Sequence, residues 1–169
     1  MHPLFRNQNL RLIFGVTLMS VLGVSTVIPV IPNLAEAFSL DPAHVGLVMA
    51  AFTLPGVFLT PVWGVVADRM GRRKVLLPSL VVFALAGASC ALAKSFVVFL
   101  ALRVVQGSAA AALGVISATL LGDFFHGQDL ATATGLNAAM LAMGMAGYPL
   151  FGGILGLLGW RWPFLLPLL

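Results

Sequence analysis

Charge is what this chain has least of. Its 169 residues hold 9 Lys and Arg and 5 Asp and Glu, 8% of the total, against 60% hydrophobic residues, whereas about 25% of a soluble domain is charged. So little charge cannot cover a water-exposed surface, and the chain is expected to lie in a lipid bilayer. The net charge of +4 does not indicate nucleic acid, because the basic residues are not spread over a polar surface that could follow a phosphate backbone. They report topology instead. Cysteine is nearly absent too, and the lone Cys90 excludes an internal disulfide framework and a thiolate metal site. His126 has no second His, Cys or acid at ligand spacing, so no metal is expected. No nucleophile, base and orienting residue cluster together, which sets enzymes aside.

What remains is apolar length. Uncharged stretches cover residues 12–35, 42–67, 75–93, 104–122 and 130–160, and a helical span needs about 20 such residues. Spans are predicted at 10–32, 43–67, 75–93, 96–122 and 130–158, in an all-α membrane protein. A sixth apolar segment starts at Trp162, but residues 162–169 would rise only about 12 Å as a helix. An "AEA" at Ala35–Ala37 has the small-x-small form of a cleavage site, yet the preceding apolar run exceeds a signal-peptide core of about 7–15 residues, so the first span is kept. Arg6, Arg11, Arg69, Arg72, Arg73 and Lys74 fall on one side of this topology, and Lys94 and Arg161 on the other. That asymmetry places the N-terminus in the cytoplasm.

Charge concentrates in "GVVADRMGRRKVLLP", the turn between the second and third spans. Arg69, Arg72, Arg73 and Lys74 suit positive-inside anchors. Asp68 does not, because an acid adds nothing to that signal; at a helix end it can pair with an Arg or accept hydrogen bonds from a facing helix N-terminus. Gly64 leaves room for a neighbouring helix, and Gly71 permits the turn. These residues resemble the signature of the major facilitator superfamily, G-x-x-x-D-R-x-G-R-[RK]-[RK], with Gly64, Asp68, Arg69, Gly71, Arg72, Arg73 and Lys74 filling every fixed position. The resemblance implies that Asp68 and Arg72 form a charged latch holding the cytoplasmic side closed in the outward-facing state, with Gly64 and Gly71 allowing close packing.

Arg103 is nine residues past Lys94, about 13 Å along a helix and inside the apolar layer. A charge there costs at least about 2.5–3.5 kcal/mol, so its default reading is an interior-facing functional group. Gln106 is one turn away, and Gly107, Ser108 and an alanine run offer a smooth packing surface. Leu100, Arg103, Gln106 and Gly107 are similar to the family pattern L-x-x-R-x-x-Q-G, which implies a part in proton coupling for Arg103.

In the fifth span Gly144, Gly152 and Gly156 share one helical face, and Pro149 removes a backbone donor. Gly135, Gly144, Pro149, Gly152 and Gly153 resemble the family's antiporter motif, G-x8-G-x3-G-P-x2-G-G. Tyr148 replaces the glycine before Pro149, and a ring on the small-residue face is expected to push the partner helix away. Gly23, Pro29 and Pro32 in "LGVSTVIPVIP" resemble the span-one pattern of twelve-span drug exporters. Met140, Met143 and Met145 could line an adaptable pocket, but core or lipid contact explains them as well. None of the five predicted spans contains an acid.

The resemblance covers the whole chain but only the first half of that architecture: residues 1–169 correspond to an N-terminal six-helix bundle of two inverted three-helix repeats, the second incomplete. It implies a secondary active transporter in the bacterial inner (plasma) membrane, exporting drugs or other small molecules by alternating access. The proton gradient, and no cofactor, would drive it. The substrate path would lie between this bundle and a missing C-terminal bundle, so the chain is expected to be inactive alone. Two alternatives stay open: a carrier of a sugar or metabolite, and a non-transporting membrane subunit. The expected partners are lipid, a small-molecule substrate and the second bundle, not nucleic acid.

Overall fold

The computed structural model describes residues 7–168; Arg6 and Leu169 lie outside the described residues. As expected, the described residues fold as all-α, and among them 5 helical segments are long and apolar enough to cross a membrane. The helices are α1 (Gln8–Ser25), α2 (Ile31–Ala37), α3 (Pro42–Met70), α4 (Arg72–Leu92), α5 (Phe96–Phe124) and α6 (Gly127–Gly156), followed by a 3-10 helix at Trp162–Leu168.

Local chemistry fixes the boundaries. Asn7 caps α1, its Oδ1 accepting from the Asn9 amide at 2.9 Å, and Ser95 caps α5 by accepting from the Val98 amide at 3.3 Å, which satisfies donors that a helix start leaves free. Pro29 and Pro32 break the first span instead of ending it. The chain passes through a 3-10 turn at Ile28–Val30 and resumes as α2, so that the segment runs from Gln8 to Ala37. Between α3 and α4 the linker is Gly71 alone, with φ +92°, a conformation that a side chain would oppose.

The helices outrun the apolar stretches, so Glu36, Asp68, Asp123 and Asp129 are helical residues, although each stays in an end turn. One end of the bundle carries the α3–α4 turn, the start of α1 and the α5–α6 junction, and is called here the basic end.

α5 touches each of the other long helices, with α1 between it and α6, and with α3 and α4 on its other side. The core is layered along the bundle axis. Leu10, Ile13, Phe14, Leu121, Phe125 and Ala133 fill the basic end. Val16, Phe52, Phe83, Ala109 and Leu113 fill the middle. At the far end Val30, Leu34, Cys90, Phe99 and Phe164 join an aromatic group in which Phe38, Phe99 and Trp160 meet at centroid distances of 5.3–6.2 Å. Much of α3 and α6 is left uncovered, with Val57, Phe58, Leu150 and Phe151 exposed. In a bilayer such faces contact lipid or another helix without the penalty they would incur in water.

Candidate functional site

Asp68, Arg72 and Asp123 lie just outside the apolar stretches, at the basic end. Arg72 opens α4, and its Nη1 donates to Asp68 Oδ1 in the last turn of α3. Its other edge faces the last turn of α5, where Nε donates to Asp123 Oδ2 at 2.9 Å and Nη2 reaches Asp123 Oδ1 at 3.5 Å. One guanidinium fork therefore ties the ends of three helices. The hydrogen bonds from Arg72 hold the Asp123 carboxyl below its usual range, and the two carboxylates raise Arg72.

The cluster is exposed, and ion pairs in that setting are worth about 0–1 kcal/mol. Contacts of that strength are readily made and broken. Arg69, Arg73 and Lys74 make no ion pair among the described residues, which fits interfacial anchors.

Because Asp123 is held below its ordinary value near 3.9, its contact with Arg72 is fully present above about pH 5 and is lost as acid titrates it below that ordinary value. Asp123→Asn should loosen the Gly71–Lys74 turn at neutral pH. Amide exchange there, corrected for intrinsic rates, is expected to quicken severalfold while global stability changes by less than about 1 kcal/mol. Equal exchange in both proteins would show that the Arg72–Asp123 contact does not hold the turn.

Arg103 lies in the middle of the bundle with 0% exposure. Its Nη1 donates to the Gly23 carbonyl of α1 at 2.9 Å and to Gln106 Oε1 at 2.8 Å, while Nε and Nη2 are buried and have no partner among the described residues. The guanidinium lies 4.4 Å from the centroid of the Phe52 ring and 5.8 Å from that of Phe164. Aromatic faces stabilise a desolvated cation by about 2 kcal/mol, but they leave its net charge uncompensated.

Glycines make this packing possible. A Cβ at Gly107 would run into the backbone of Phe52, one at Gly23 would come within 2.8 Å of the Phe52 ring, and one at Gly87 within 2.6 Å of Gln106 Nε2.

The glycine stripe of α6 lies along the first span. An added Cβ would meet Leu18 at Gly144 (3.0 Å), the backbone of Thr26 at Gly152 and Val30 at Gly156 (2.5 Å). Gly153 faces Pro29 at an ordinary 3.8 Å. Pro149 lies within α6, between Gly144 and Gly152. The Tyr148 ring does not prop the helices apart: it leans back beside Gly144, 3.3 Å from where a Cβ would sit, as side chains on a helix tilt toward its N-terminus. At Gly64 and Gly135, by contrast, a Cβ would meet nothing within 4 Å. The helix that Gly64 was expected to admit is not among the described residues.

The pattern of the Major Facilitator Superfamily matches residues 13–169. The chain belongs to that superfamily. Its members are membrane transporters and not enzymes. This facilitator chain is 32% identical over 164 residues to the bacillibactin exporter of Bacillus subtilis, covering 93% of the chain and 41% of the relative. It is 32% identical over 162 residues to the class C tetracycline resistance protein of Escherichia coli, covering 94% and 41%. With the quinolone resistance protein NorA of Staphylococcus aureus it shares 26% over 158 residues, covering 94% and 41%. The chain thus spans about 41% of the length of these curated relatives.

Two parts of the facilitator bundle were not foreseen in the sequence. Asp123 is the second acid on Arg72, and its only signal was an acid in a junction without basic residues. The other is a buried polar link in which Thr17 Oγ1 donates to Asn137 Oδ1 at 2.8 Å and shares a hydrogen bond with Ser117 Oγ at 2.5 Å. It joins α1, α5 and α6, and nothing in the local pattern around Thr17, Ser117 or Asn137 connects the three.

Proposed function

We propose that the chain is the N-terminal bundle of a proton-coupled exporter of drugs or other small molecules that works by alternating access in a bacterial inner membrane, with its basic end in the cytoplasm. The observation that carries this reading is Arg103, a cation with 0% exposure and two nitrogens unpartnered among the described residues. A charge so placed is costly, and such groups mark substrate or proton pathways. Arg103 is bonded across helices to the Gly23 carbonyl, so any change in its partners is felt by α1 and α5 together. Proton binding at an acid that approaches Arg103 in one conformation only would bias the bundle between two states, as coupling requires.

Export as the direction is supported by the relatives named above, which are an exporter and two resistance proteins, and by Pro29 and Pro32, which kink the first span beside the α6 stripe. The Asp68–Arg72–Asp123 cluster supplies the latch of one closed state. The orientation rests on Arg11, Arg69, Arg72, Arg73 and Lys74 lying at one end.

Rocking transport requires a second bundle against which this one moves, so residues 1–169 alone should not export. Drug accumulation in an efflux-deficient strain is the test, with residues 1–169 expressed alone or in frame with the coding sequence downstream. Resistance is expected only from the longer product, and resistance from residues 1–169 alone would overturn the two-bundle reading. In the longer product Asp68→Asn should reduce efflux to background with normal membrane insertion. Unchanged efflux would refute the latch.

A further inference from the structure

Two cavities meet at the basic end. A cleft of about 510 Å³ between α3, α4 and α5 is walled by apolar side chains, among them Leu59, Val66, Val82, Val104 and Val105. A second hollow of about 610 Å³ abuts it and is lined by Arg72, Arg73, Lys74 and Leu77. Met70, Lys74 and Pro78 line both, so the apolar cleft opens onto a basic mouth. Arg72 is engaged by Asp68 and Asp123, but Arg73 and Lys74 are exposed and make no ion pair among the described residues. Trp63 lines the cleft and packs against the core cluster of Ala67, Val75 and Ile116.

We propose that the cleft and its mouth are a binding site for an anionic phospholipid. Arg73 and Lys74 hold the phosphate of the headgroup, and one acyl chain lies between α3, α4 and α5 against Val82, Val104 and Val105. The seven residues from Trp63 to Met70 span about 10 Å of helix, which puts Trp63 below a headgroup at Lys74, near the level where ester carbonyls give way to acyl chain. A helix seated in the same cleft would bury Arg73 and Lys74 without neutralising them, whereas a lipid supplies the apolar body and the negative head together. Each basic residue near an anionic surface is worth about fivefold in affinity, and Arg73 and Lys74 contribute jointly.

The test uses Trp63 as the reporter, after W160F and W162F remove the other two of the 3 tryptophans. The full chain is reconstituted in vesicles in which either phosphatidylglycerol or phosphatidylcholine carries brominated, fluorescence-quenching acyl chains. Brominated phosphatidylglycerol should quench Trp63 at about a 25-fold lower mole fraction than brominated phosphatidylcholine, and R73Q together with K74Q should abolish that preference. Because those residues also anchor the turn, S108F offers a second arm: it fills the cleft with the basic mouth intact, and should suppress quenching by either lipid. Equal quenching by the two lipids, a preference that survives R73Q/K74Q, or no quenching by either lipid in the unaltered cleft would each overturn the proposal.

Discussion

Arg103→Ala in the completed transporter should eliminate gradient-driven export while the protein still inserts and binds substrate. The present structure gives Arg103 a set of contacts that no smaller side chain reproduces: one nitrogen serves both the Gly23 carbonyl and Gln106, and the guanidinium plane faces Phe52. Charge-assisted hydrogen bonds contribute about 1.5–3 kcal/mol each and a desolvated cation–π contact about 2 kcal/mol. If about 3 kcal/mol of this total differs between the two conformations, its loss changes their balance by roughly 100-fold. Transport into inverted vesicles with an imposed proton gradient would read that loss directly.

Arg103→Lys is the sharper variant, because Lys retains the charge but lacks the planar fork; it should recover less than a tenth of the Arg103 rate. Stability provides the control. Removing a buried, incompletely bonded cation relieves its desolvation penalty but opens a cavity, so the melting temperature of Arg103→Ala is to be measured beside export, and the two proteins compared where both are folded. Normal gradient-driven export by Arg103→Ala would take this residue out of the coupling scheme.

The reach of the sequence follows from the distance over which each interaction acts. Span number could be read because lipid demands about 20 apolar residues in a row, and charge is too rare in this chain to blur the boundaries. Arg103 could be placed inside the layer by counting residues from Lys94. The period of the α6 stripe was visible because Gly144, Gly152 and Gly156 are multiples of four apart, a strictly local relation.

What escaped was long-range. Asp123 is 51 positions from Arg72, Ser117 is 100 from Thr17 and Asn137 is 120; no periodicity connects them. Phe164 stacks toward Arg103 from an apolar tail whose length showed only that it was too short to cross. The first span was expected to end at Pro32, with no restart foreseen, because helix resumption depends on α2 burying Leu34 against the far-end core. Nor could sequence distinguish a glycine against a neighbouring backbone, such as Gly107, from one in open space, such as Gly135.

That last distinction gives the largest expected effect on stability, and it reverses sign for a single chemical change. Gly135→Ala, Gly107→Ala and Gly152→Ala each add one methyl group to the interior of a long helix. By local preference alone each should stabilise, since Ala is favoured over Gly in a helix by about 0.5–1 kcal/mol. At Gly135 the new Cβ meets nothing within 4 Å, so the preference stands and a small gain is expected. At Gly107 it would run into the carbonyl and Cα of Phe52, and at Gly152 into the same backbone atoms of Thr26. Backbone cannot rotate away as a flexible side-chain tip does, so α3 must shift from α5, or the first span from α6. Overpacking usually costs about 1–3 kcal/mol, and two helices forced apart along their contact should lie at or above the upper value. For a chain of this size that corresponds to a fall in Tm of roughly 6–12 °C. Thermal unfolding of the purified chain in one detergent, compared across the three variants, measures it. If Gly107→Ala and Gly152→Ala prove as stable as Gly135→Ala, the close helix approaches at Phe52 and Thr26 are wrong.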